Sequence, residues 1–477
     1  MTRRTRTLLF SFFIILFILI TPLTVLYSLG WRIDWKSKKI IQTGAFYFKV
    51  WPKNCRVYLN EELEKKTDFF FGSALIENLL PKKYNVEIKK EGFQSWRKSL
   101  KIKERTATEA KNIILIPEKP NFTLTAKNVE KFFFSPDEKK VILLETENDS
   151  ETPTWSLKLF ELGKNIKSHL IKEEDISLAR RSLGEGGKKE KNELFDLKFS
   201  PDSGTILLEI EAPKKINYYI LEINKDPLSL IPLDFLNSEV DKIIFYPKNH
   251  QRLLILKEGM LSEVDLATKK ISPPLLEEII TLLPLNNNVY YLDTSGFIYK
   301  TDFSFKNHEK LNQVSFPAKE EAQYQISAIN QASHFFLKEN NILYVFNRNG
   351  KNFKKIFEPV KNLSFSPDSQ KMVYWNDYEI WILFLEEKHD QPQKQAREQL
   401  FLTRFSEKIN EVFWLTNHYL IFNTGGKTKI AEIDDRDRIN IFDLGKFDES
   451  KIFWSQIAKS LYVLANKNLY ASEKLAP

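Results

Sequence analysis

A tetrad of identical residues recurs three times and brings one carboxylate with it each time. Phe-Ser-Pro-Asp stands at residues 134–137, 199–202 and 365–368. Gathered in one place, three carboxylates would suit general acid–base chemistry. Because they recur at the same point of a repeat, we expect each to bond amides within its own turn, with Pro fixing φ. The residues given this structural role are Ser135, Pro136, Asp137, Ser200, Pro201, Asp202, Ser366, Pro367 and Asp368.

The other residues with catalytic potential form no recognisable site. No nucleophile elbow, HExxH, phosphate loop or dinucleotide GxGxxG is present. The single cysteine, Cys55, excludes an intrachain disulfide and a Cys-based metal site, and we expect it to be a small strand residue. We predict a non-enzymatic protein without cofactor or metal. The histidines show no ligand spacing and are expected on the surface or in turns: His169, His250, His308, His334, His389 and His418.

Two further segments resemble ligand-binding loops, but a structural role as a loop or turn is favoured for both. The Gly-Glu-Gly-Gly run at 184–187 lacks the preceding strand and following helix that a phosphate cradle needs. The run Asp-Asp-Arg-Asp-Arg at 434–438 is expected to be a solvated hairpin turn, with a calcium contact as the alternative.

The N-terminus carries an uncharged apolar run over residues 8–29. At about 1.5 Å per residue it reaches roughly 33 Å, which is enough to cross a bilayer. A cleavable signal peptide is the alternative, but its apolar region is usually about 7–15 residues. We predict an uncleaved transmembrane anchor in which the apolar contacts with lipid include Leu8, Phe12, Ile15, Phe17, Ile20 and Leu26.

The orientation of this helix in the membrane depends in part on the basic residues that flank it. Arg3, Arg4 and Arg6 precede it, while four basic residues follow closely: Arg32, Lys36, Lys38 and Lys39. The positive-inside count is therefore nearly a tie, but long hydrophilic domains cross largely regardless of flanking charge. We predict a single-pass protein of the cell membrane, with a cytoplasmic N-terminus and its bulk outside. A scaffold facing the cytoplasm is the reverse possibility.

The positive charge is concentrated near the membrane segment. Residues 31–119 hold 20 Lys/Arg against 11 Asp/Glu, a net charge of +9, whereas residues 120–477 come to −4. No module for nucleic-acid binding accompanies the basic residues, so we exclude that partner. The basic region could face anionic lipid headgroups or an acidic wall polymer. A solvated lysine-rich surface is the alternative.

After a linker at 31–43, residues 44–118 alternate short β-like runs with turns, which predicts a small antiparallel β-sandwich with one wet face. This segment resembles the PEGA domain of bacterial and archaeal cell-surface proteins. The resemblance rests on Gly44, Pro52, the strand Val57-Tyr58-Leu59-Asn60, Leu80-Pro81, Tyr84 with Val86, and Lys90-Glu91-Gly92-Phe93. Pro52-Lys53-Asn54-Cys55 stands where the family has its name motif. The resemblance implies an envelope module, not an activity.

Residues 119–477 contain a longer repeat. Weaker copies lie between and after the tetrads, at Phe245, Leu282, Ala328, Phe413 and Phe453, so that units recur about every 40–45 residues. Four short strands per unit at this period are typical of a β-propeller blade. We predict eight blades, with seven as the alternative, and residues 121–127 supply the last outer strand. The polar insert at 172–193 is expected to be a disordered loop.

The tetrads resemble those that open each blade in TolB-like and WD-repeat-like propellers. Tryptophans near the blade starts (Trp375, Trp381, Trp414 and Trp454) are expected in the core between blades, or in part at the ring's mouth. The predicted fold is all-β: a transmembrane helix, a PEGA-like sandwich and a propeller. The predicted function is an anchored binding protein whose propeller contacts a protein or wall polymer, with its oligomeric state open. The alternative is a propeller lyase or glycan hydrolase with its site in the central channel.

Overall fold

The apolar N-terminal run forms a helix. The computed structural model describes residues 3–34, 38–147, 154–182, 192–212, 215–236, 240–247, 249–329 and 333–477. Helix α1 spans Arg3–Ser28, and none of its central apolar window is buried against the rest of the described chain. Its length and apolar composition suffice to cross a membrane, and a signal sequence would meet the same test.

The segment predicted to be a linker is instead a β-hairpin. Strands β1 (Trp31–Asp34) and β2 (Lys39–Gln42) pair antiparallel, with Ile33 opposite Ile40. The amide and hydroxyl of Thr43 both donate to the carbonyl of Gly30, 2.9 Å away. These bonds hold the ends of the hairpin together directly after the helix. The hairpin was missed because the sequence between its strands has no typical hairpin turn residues.

The small domain is a sandwich of two sheets, with strand orders β6-β3-β9 and β5-β4-β7-β8. One prediction was wrong: β3 and β9 pair in parallel, because the four-stranded sheet is formed by the chain that connects them. The core between the sheets includes the fully or almost fully buried side chains of Phe46, Phe48, Ile88 and Leu100. The strands are β3 (Gly44–Trp51), β4 (Arg56–Leu59), β5 (Glu62–Lys66), β6 (Ser73–Leu79), β7 (Lys83–Lys89), β8 (Trp96–Lys101) and β9 (Ala107–Ile114).

The remaining chain forms eight antiparallel four-stranded sheets, counted over the described residues, which are the blades of a propeller. Blades 1 to 4 consist of β11 (Val129–Phe134), β12 (Lys140–Glu147), β13 (Thr154–Glu161), β14 (Ile166–Lys172); β15 (Glu193–Phe199), β16 (Thr205–Ala212), β17 (Lys215–Glu222), β18 (Ser229–Pro232); β19 (Lys242–Tyr246), β20 (Asn249–Lys257), β21 (Met260–Asp265), β22 (Lys270–Ile271); and β23 (Ile279–Leu285), β24 (Asn288–Asp293), β25 (Ile298–Asp302), β26 (Glu309–Lys310). Blades 5 to 8 consist of β27 (Tyr324–Ile329), β28 (His334–Glu339), β29 (Ile342–Asn347), β30 (Asn352–Phe357); β31 (Asn362–Phe365), β32 (Lys371–Trp375), β33 (Glu379–Phe384), β34 (Gln399–Arg404); β35 (Ile409–Thr416), β36 (Tyr419–Thr424), β37 (Lys427–Glu432), β38 (Ile441–Lys446); and β39 (Lys451–Ser455), β40 (Ser460–Ala465), β41 (Asn468–Ser472), with β10 (Phe122–Lys127) outermost.

The sequence of a blade reflects where each strand lies. Second strands pack on both faces, so they read as nearly continuous buried runs, as in Lys371–Trp375 and Tyr419–Thr424. Outer strands face solvent on one side and alternate, as in Gln399–Arg404. Because a blade cannot bury both faces alone, every interface between neighbouring blades holds its own apolar cluster.

The ring closes by a strand from its own beginning. Strand β10 precedes blade 1 but pairs antiparallel with β41 of blade 8, with Thr123 opposite Ala471. The eighth interface is built from both ends of the propeller, where the rings of Phe134 and Phe453 stack 3.9 Å apart. The prediction of eight blades is therefore confirmed, and the seven-blade alternative is not.

The polar insert predicted to be disordered begins with helix α2, Glu173–Ser182. Three acidic residues in its first turn suit the positive end of the helix dipole, and Asp175 accepts a hydrogen bond from the amide of Lys172 at 2.8 Å. Ile176 is buried in the cluster between blades 1 and 2. Residues 183–191, including the Gly-Glu-Gly-Gly run, lie outside the described residues.

Candidate interaction interface

Each tetrad forms the turn between the first and second strand of its blade. The hydroxyl of Ser200 donates to Asp202 at 2.5 Å and accepts the amide of Thr205 at 2.9 Å. Ser135 donates to Asp137 and Ser366 to Asp368 in the same way, at 2.6 and 2.5 Å. We call the side of the ring with these turns, and with the turns between third and fourth strands, the tetrad face. The other side is the opposite face.

The three tetrad carboxylates do not converge, because each accepts the serine hydroxyl of its own turn. The amide of Asp137 donates to Ser203 of the next tetrad turn at 3.3 Å, and the amide of Asp368 donates to Asn417 at 3.0 Å. Burial acts to raise the pKa of Asp368, but hydrogen bonds led by the one from Lys371 outweigh it and leave that pKa below its usual value. These turns join blades and offer no acid pair.

The small domain packs on the tetrad face of blades 6 and 7 through a buried polar cluster. Lys98 Nζ lies 2.8 Å from Glu432 Oε1, and both side chains are almost fully buried. The indole of Trp96 donates to the other oxygen of Glu432 at 2.8 Å. The amide of Ser99 donates to Asp437 at 2.8 Å. Burial raises the pKa of Glu432, while the Lys98 ammonium acts in the opposite sense.

The charged run at 434–438 is part of this junction, so its prediction as a solvated turn was wrong for Asp434, Asp435 and Arg436, whereas Asp437 and Arg438 are exposed. Arg436 pairs with Asp434, 2.5 Å apart, and also donates to the carbonyl of Glu109 in the small domain at 2.6 Å. Lys98 donates to the carbonyl of Asp434 at 2.6 Å. Contact with the small domain leaves Asp434 and Arg436 half-buried, and Arg436 obtains a carbonyl partner that a free turn would lack.

A glutamine side chain caps the open edge of the small domain's three-stranded sheet. The amide of Gln391, in the turn between β33 and β34, donates to the carbonyl of Ala107 at 3.0 Å and accepts the backbone N–H of Glu109 at 3.1 Å. The hydroxyl of Tyr419 accepts the N–H of Ile114 at 3.1 Å. Edge strand β9 is thus paired by propeller side chains, which fixes its position and protects the edge.

A small cavity remains between the two domains. Its volume is about 40 Å³, which admits a few water molecules, and its lining includes Lys388, His418 and Asp434. Burial lowers the pKa of His418 to about 4, and that of Lys388 to about 8. Lys388 donates to the carbonyls of Asp390 and Pro392 at 2.8 and 2.7 Å and so shapes its own turn.

Polar side chains on or beside the innermost strands bond the next blade. Three lysines donate to its backbone carbonyls: Lys131 to Leu194 at 3.4 Å, Lys242 to Leu282 at 2.9 Å, and Lys361 to Ile409 at 2.9 Å. The carboxylate of Glu411 accepts the backbone N–H of Ile452 at 2.7 Å. Within the described residues, no group of three or more His, Cys, Asp and Glu side chains is placed to hold a metal ion.

No family model and no curated protein matches the chain. Among solved structures, a computationally designed protein named Ika8 aligns with a TM-score of 0.44 and 11% identity, over 73% of this chain and 96% of that one. YCF48 from Cyanidioschyzon merolae aligns with a TM-score of 0.37 and 13% identity, over 60% and 97%. A chain of the Mitotic Checkpoint Complex aligns with a TM-score of 0.38 and 10% identity, over 75% and 92%. The strand order above, not these similarities, establishes the propeller.

The structure places the remaining predicted residues as follows. The six named anchor residues lie on α1 and are exposed, Leu8 at 72% and Leu26 at 41%. Cys55 is buried just before β4. His418 lies in a turn but beneath the small domain rather than on the surface. The four tryptophans pack between or within blades.

The junction residues had no signal in the sequence. Lys98 and Trp96 sit among the basic and apolar residues of an ordinary edge strand, and Glu432 ends a propeller strand 336 residues from Trp96. The one available cue was density of charge: five consecutive charged residues at 434–438 are unusual for a short hairpin turn.

Proposed function

We propose that the chain is a membrane-anchored, extracytoplasmic binding protein of the cell envelope. Helix α1 serves as an uncleaved anchor, the small domain spaces the propeller from the bilayer, and the propeller binds a protein or wall-polymer partner without catalysing a reaction. The resemblance of residues 44–118 to PEGA domains supports a cell-surface location, and the three arginines before α1 support a cytoplasmic N-terminus.

The observation that carries this proposal is the buried junction between the domains. A flexible tether would need no desolvated ion pair, and Lys98 with Glu432 is such a pair. The junction fixes the propeller's orientation to the anchored domain and covers the tetrad face of blades 6 and 7. The opposite face of the ring is left uncovered by the described chain. A platform held in one orientation suits the capture of a partner at a membrane surface.

A binding role is favoured over the propeller enzyme by what the inner strands do. Lys131, Lys242 and Glu411 bond the backbone of the next blade, so their polar groups are engaged in closing the ring. Burial lowers the pKa of Lys242 and raises that of Glu411. Both shifts follow from burial against the neighbouring blade, and these side chains are engaged in holding the ring together.

Photo-crosslinking in cells tests the platform. A photoreactive amino acid replaces Met260, which begins the third strand of blade 3, or Tyr378, in the turn between the second and third strands of blade 6; each is 40% exposed on the opposite face. Ile457, 63% exposed in a tetrad-face turn of blade 8, is the control. We expect one discrete adduct, identified by mass spectrometry, from the opposite-face positions and not from Ile457. Absence of an adduct at both opposite-face positions contradicts the proposal.

A further inference from the structure

The large hydrophobic side chains left exposed on the small domain and its hairpin are few. In the described part of residues 31–118, a bulky apolar side chain is exposed at seven positions: Ile33, Ile40, Leu63, Phe69, Phe70, Phe71 and Leu75. The three consecutive phenylalanines are each 74% exposed, so most of the surface of each side chain faces solvent. Scattered exposed apolar residues need no explanation, but a contiguous group marks an interaction surface.

All of these residues lie along one side of the domain. Leu63 is on β5, Leu75 is on β6, and the phenylalanines form the loop that joins these two strands. Strands β5 and β6 are edge strands of the two sheets, and they adjoin. The opposite edge, β8 and β9, packs on the propeller. The apolar side, which we call the free edge, therefore points away from the propeller.

The hairpin continues the free edge towards the anchor helix. Ile33 and Ile40 are an exposed cross-strand pair. Arg32 donates to Asn78 at the end of β6 at 2.7 Å and to the carbonyl of Tyr27 in α1 at 2.6 Å. From Asn78 to the phenylalanine loop the strand extends roughly 20 Å. Exposed apolar side chains thus recur from the end of the helix along the free edge to the three phenylalanines, with Glu77 and the charged residues of β5 between them.

Asp68 holds the phenylalanine loop by accepting hydrogen bonds from several of its amides. Asp68 accepts the amides of Phe70 and Phe71 at 2.9 and 2.6 Å, and the amide and hydroxyl of Ser73 at 2.6 and 2.5 Å. These bonds, led by that from Phe71, hold the pKa of Asp68 far below its usual range. Because these amides are already bonded, the loop has fewer hydrogen bonds to water to lose on entering the membrane interface.

Basic side chains surround the base of this loop. Arg56 and Lys66 are register partners across β4 and β5, and like charges directly opposite destabilise a sheet. Both line an open groove with Lys89 and Lys90, whose lining also includes Glu91 and Glu118. Glu62 and Glu64 lie at the far end of β5, so Arg56 and Lys66 are the charged residues of this strand pair nearest the loop. An apolar tip with a basic base matches the boundary between acyl chains and anionic headgroups.

We propose that the free edge lies on the anchoring bilayer and that Phe69, Phe70 and Phe71 insert into the interface of anionic lipids. This proposal rests on the anchoring role assigned to α1 above. The helix holds the free edge at the bilayer, and the propeller lies on the other side of the domain, so the two do not compete for space. The second contact would fix the tilt of the whole chain, which a single helix leaves free.

The test uses the full chain in lipid nanodiscs. A single cysteine replaces Phe70 and carries a fluorescent bimane label, since buried Cys55, with its pKa raised to about 11 by burial, labels poorly. Lipids with a quencher on the acyl chain report contact. We expect roughly twofold quenching in discs containing phosphatidylglycerol, and less in phosphatidylcholine alone. A label at Tyr378, on the opposite face of the propeller, stays unquenched.

A charge variant and an anchor label separate the outcomes. The double substitution Arg56→Glu and Lys66→Glu should remove the preference of the Phe70 label for anionic discs while leaving the thermal unfolding of the chain unchanged. A label at Phe17 in α1 reports the anchor. Quenching at Phe17 without quenching at Phe70 overturns the bilayer contact, leaves the anchor standing and points to a protein occupant. Quenching at neither position overturns the anchor as well.

Discussion

Lys98 and Glu432 form a buried ion pair that joins two domains from distant parts of the sequence. The Nζ–Oε1 distance is 2.8 Å, and the side chains are 0% and 3% exposed. Desolvating two charges costs as much as their attraction gains, so such a pair contributes orientation more than net stability. Removing one partner is different, because the other charge is then buried alone.

The first prediction concerns that loss. Lys98→Met should lower the free energy of unfolding by about 3–5 kcal/mol, because the Glu432 carboxylate remains buried without its counter-charge. Lys101→Met, at an exposed position of the same strand, is the matched control and should be neutral. Adding Glu432→Gln to Lys98→Met should recover part of the loss. Urea unfolding of the detergent-solubilised chain measures all three variants. Equal midpoints for Lys98→Met and Lys101→Met would contradict the prediction that Glu432 depends on Lys98.

The second prediction concerns the blade turns. Ser200→Ala removes the hydroxyl that bonds Asp202 and leaves the buried amide of Thr205 without an acceptor. The expected destabilisation is about 1–3 kcal/mol. Ser168→Ala, on an exposed outer strand, should have no effect. Thermal unfolding followed by circular dichroism compares the two variants, and an unchanged melting temperature for Ser200→Ala would show that the turn does not need its hydroxyl.

The third prediction concerns ring closure. Cysteines at Thr123 and Ala471, directly opposite on β10 and β41, should form a disulfide under mild oxidation and stabilise the chain by about 2–4 kcal/mol. Cysteines at Leu124 and Ala471 should not, because neighbouring residues on a strand point to opposite faces. Mobility on a non-reducing gel distinguishes the variants. If both pairs cross-link equally, the register of the closing strand is wrong.

The blades were accessible from the sequence because their information is local. The tetrad at 199–202 specifies its turn with its own side chains, and the buried runs of second strands recur along the chain, with the widest spacing where the polar insert lies. The closing strand β10 could be predicted because the last repeat unit contains only three strand-like runs and so lacks an outer strand. Helix α2 was missed because most of its ten residues are polar and only Ile176 is fully buried in the blade interface, so composition alone favoured disorder.

The junction was not accessible, for a physical reason. Whether Glu432 is solvated or buried depends on a domain more than 300 residues earlier in the chain, and no local pattern encodes that contact. The parallel pairing of β3 with β9 has the same origin, since strand direction depends on the path of the intervening chain. The free edge could be read only after the propeller-facing edge was known.

The fourth prediction is a pH dependence. Burial, and then the cations Lys371 and Lys388, lower the pKa of His418 from 6.5 to about 4, with Asp368 and Asp390 opposing them. Between these values the unfolded chain binds a proton that the folded chain does not, so folding stability falls as pH drops from 6.5 towards 4. His418→Gln should remove up to about 3 kcal/mol of that fall.

Urea unfolding at several pH values between 7.5 and 4 measures the difference between the chain and its His418→Gln variant. Other titrating groups contribute equally to both and cancel in the difference. A constant difference over the whole range would mean that His418 is accessible to protons in the folded chain, and that the small domain does not cover it.

The central claim is that an N-terminal anchor displays the propeller outside the cytoplasm, and topology tests it most directly. A reporter active only outside the cytoplasm is fused after Pro477, and a second reporter of opposite preference is fused at the same point. The account predicts activity of the first and silence of the second, with the pattern lost when residues 8–29 are deleted. Activity of the cytoplasmic reporter on the full chain would contradict it.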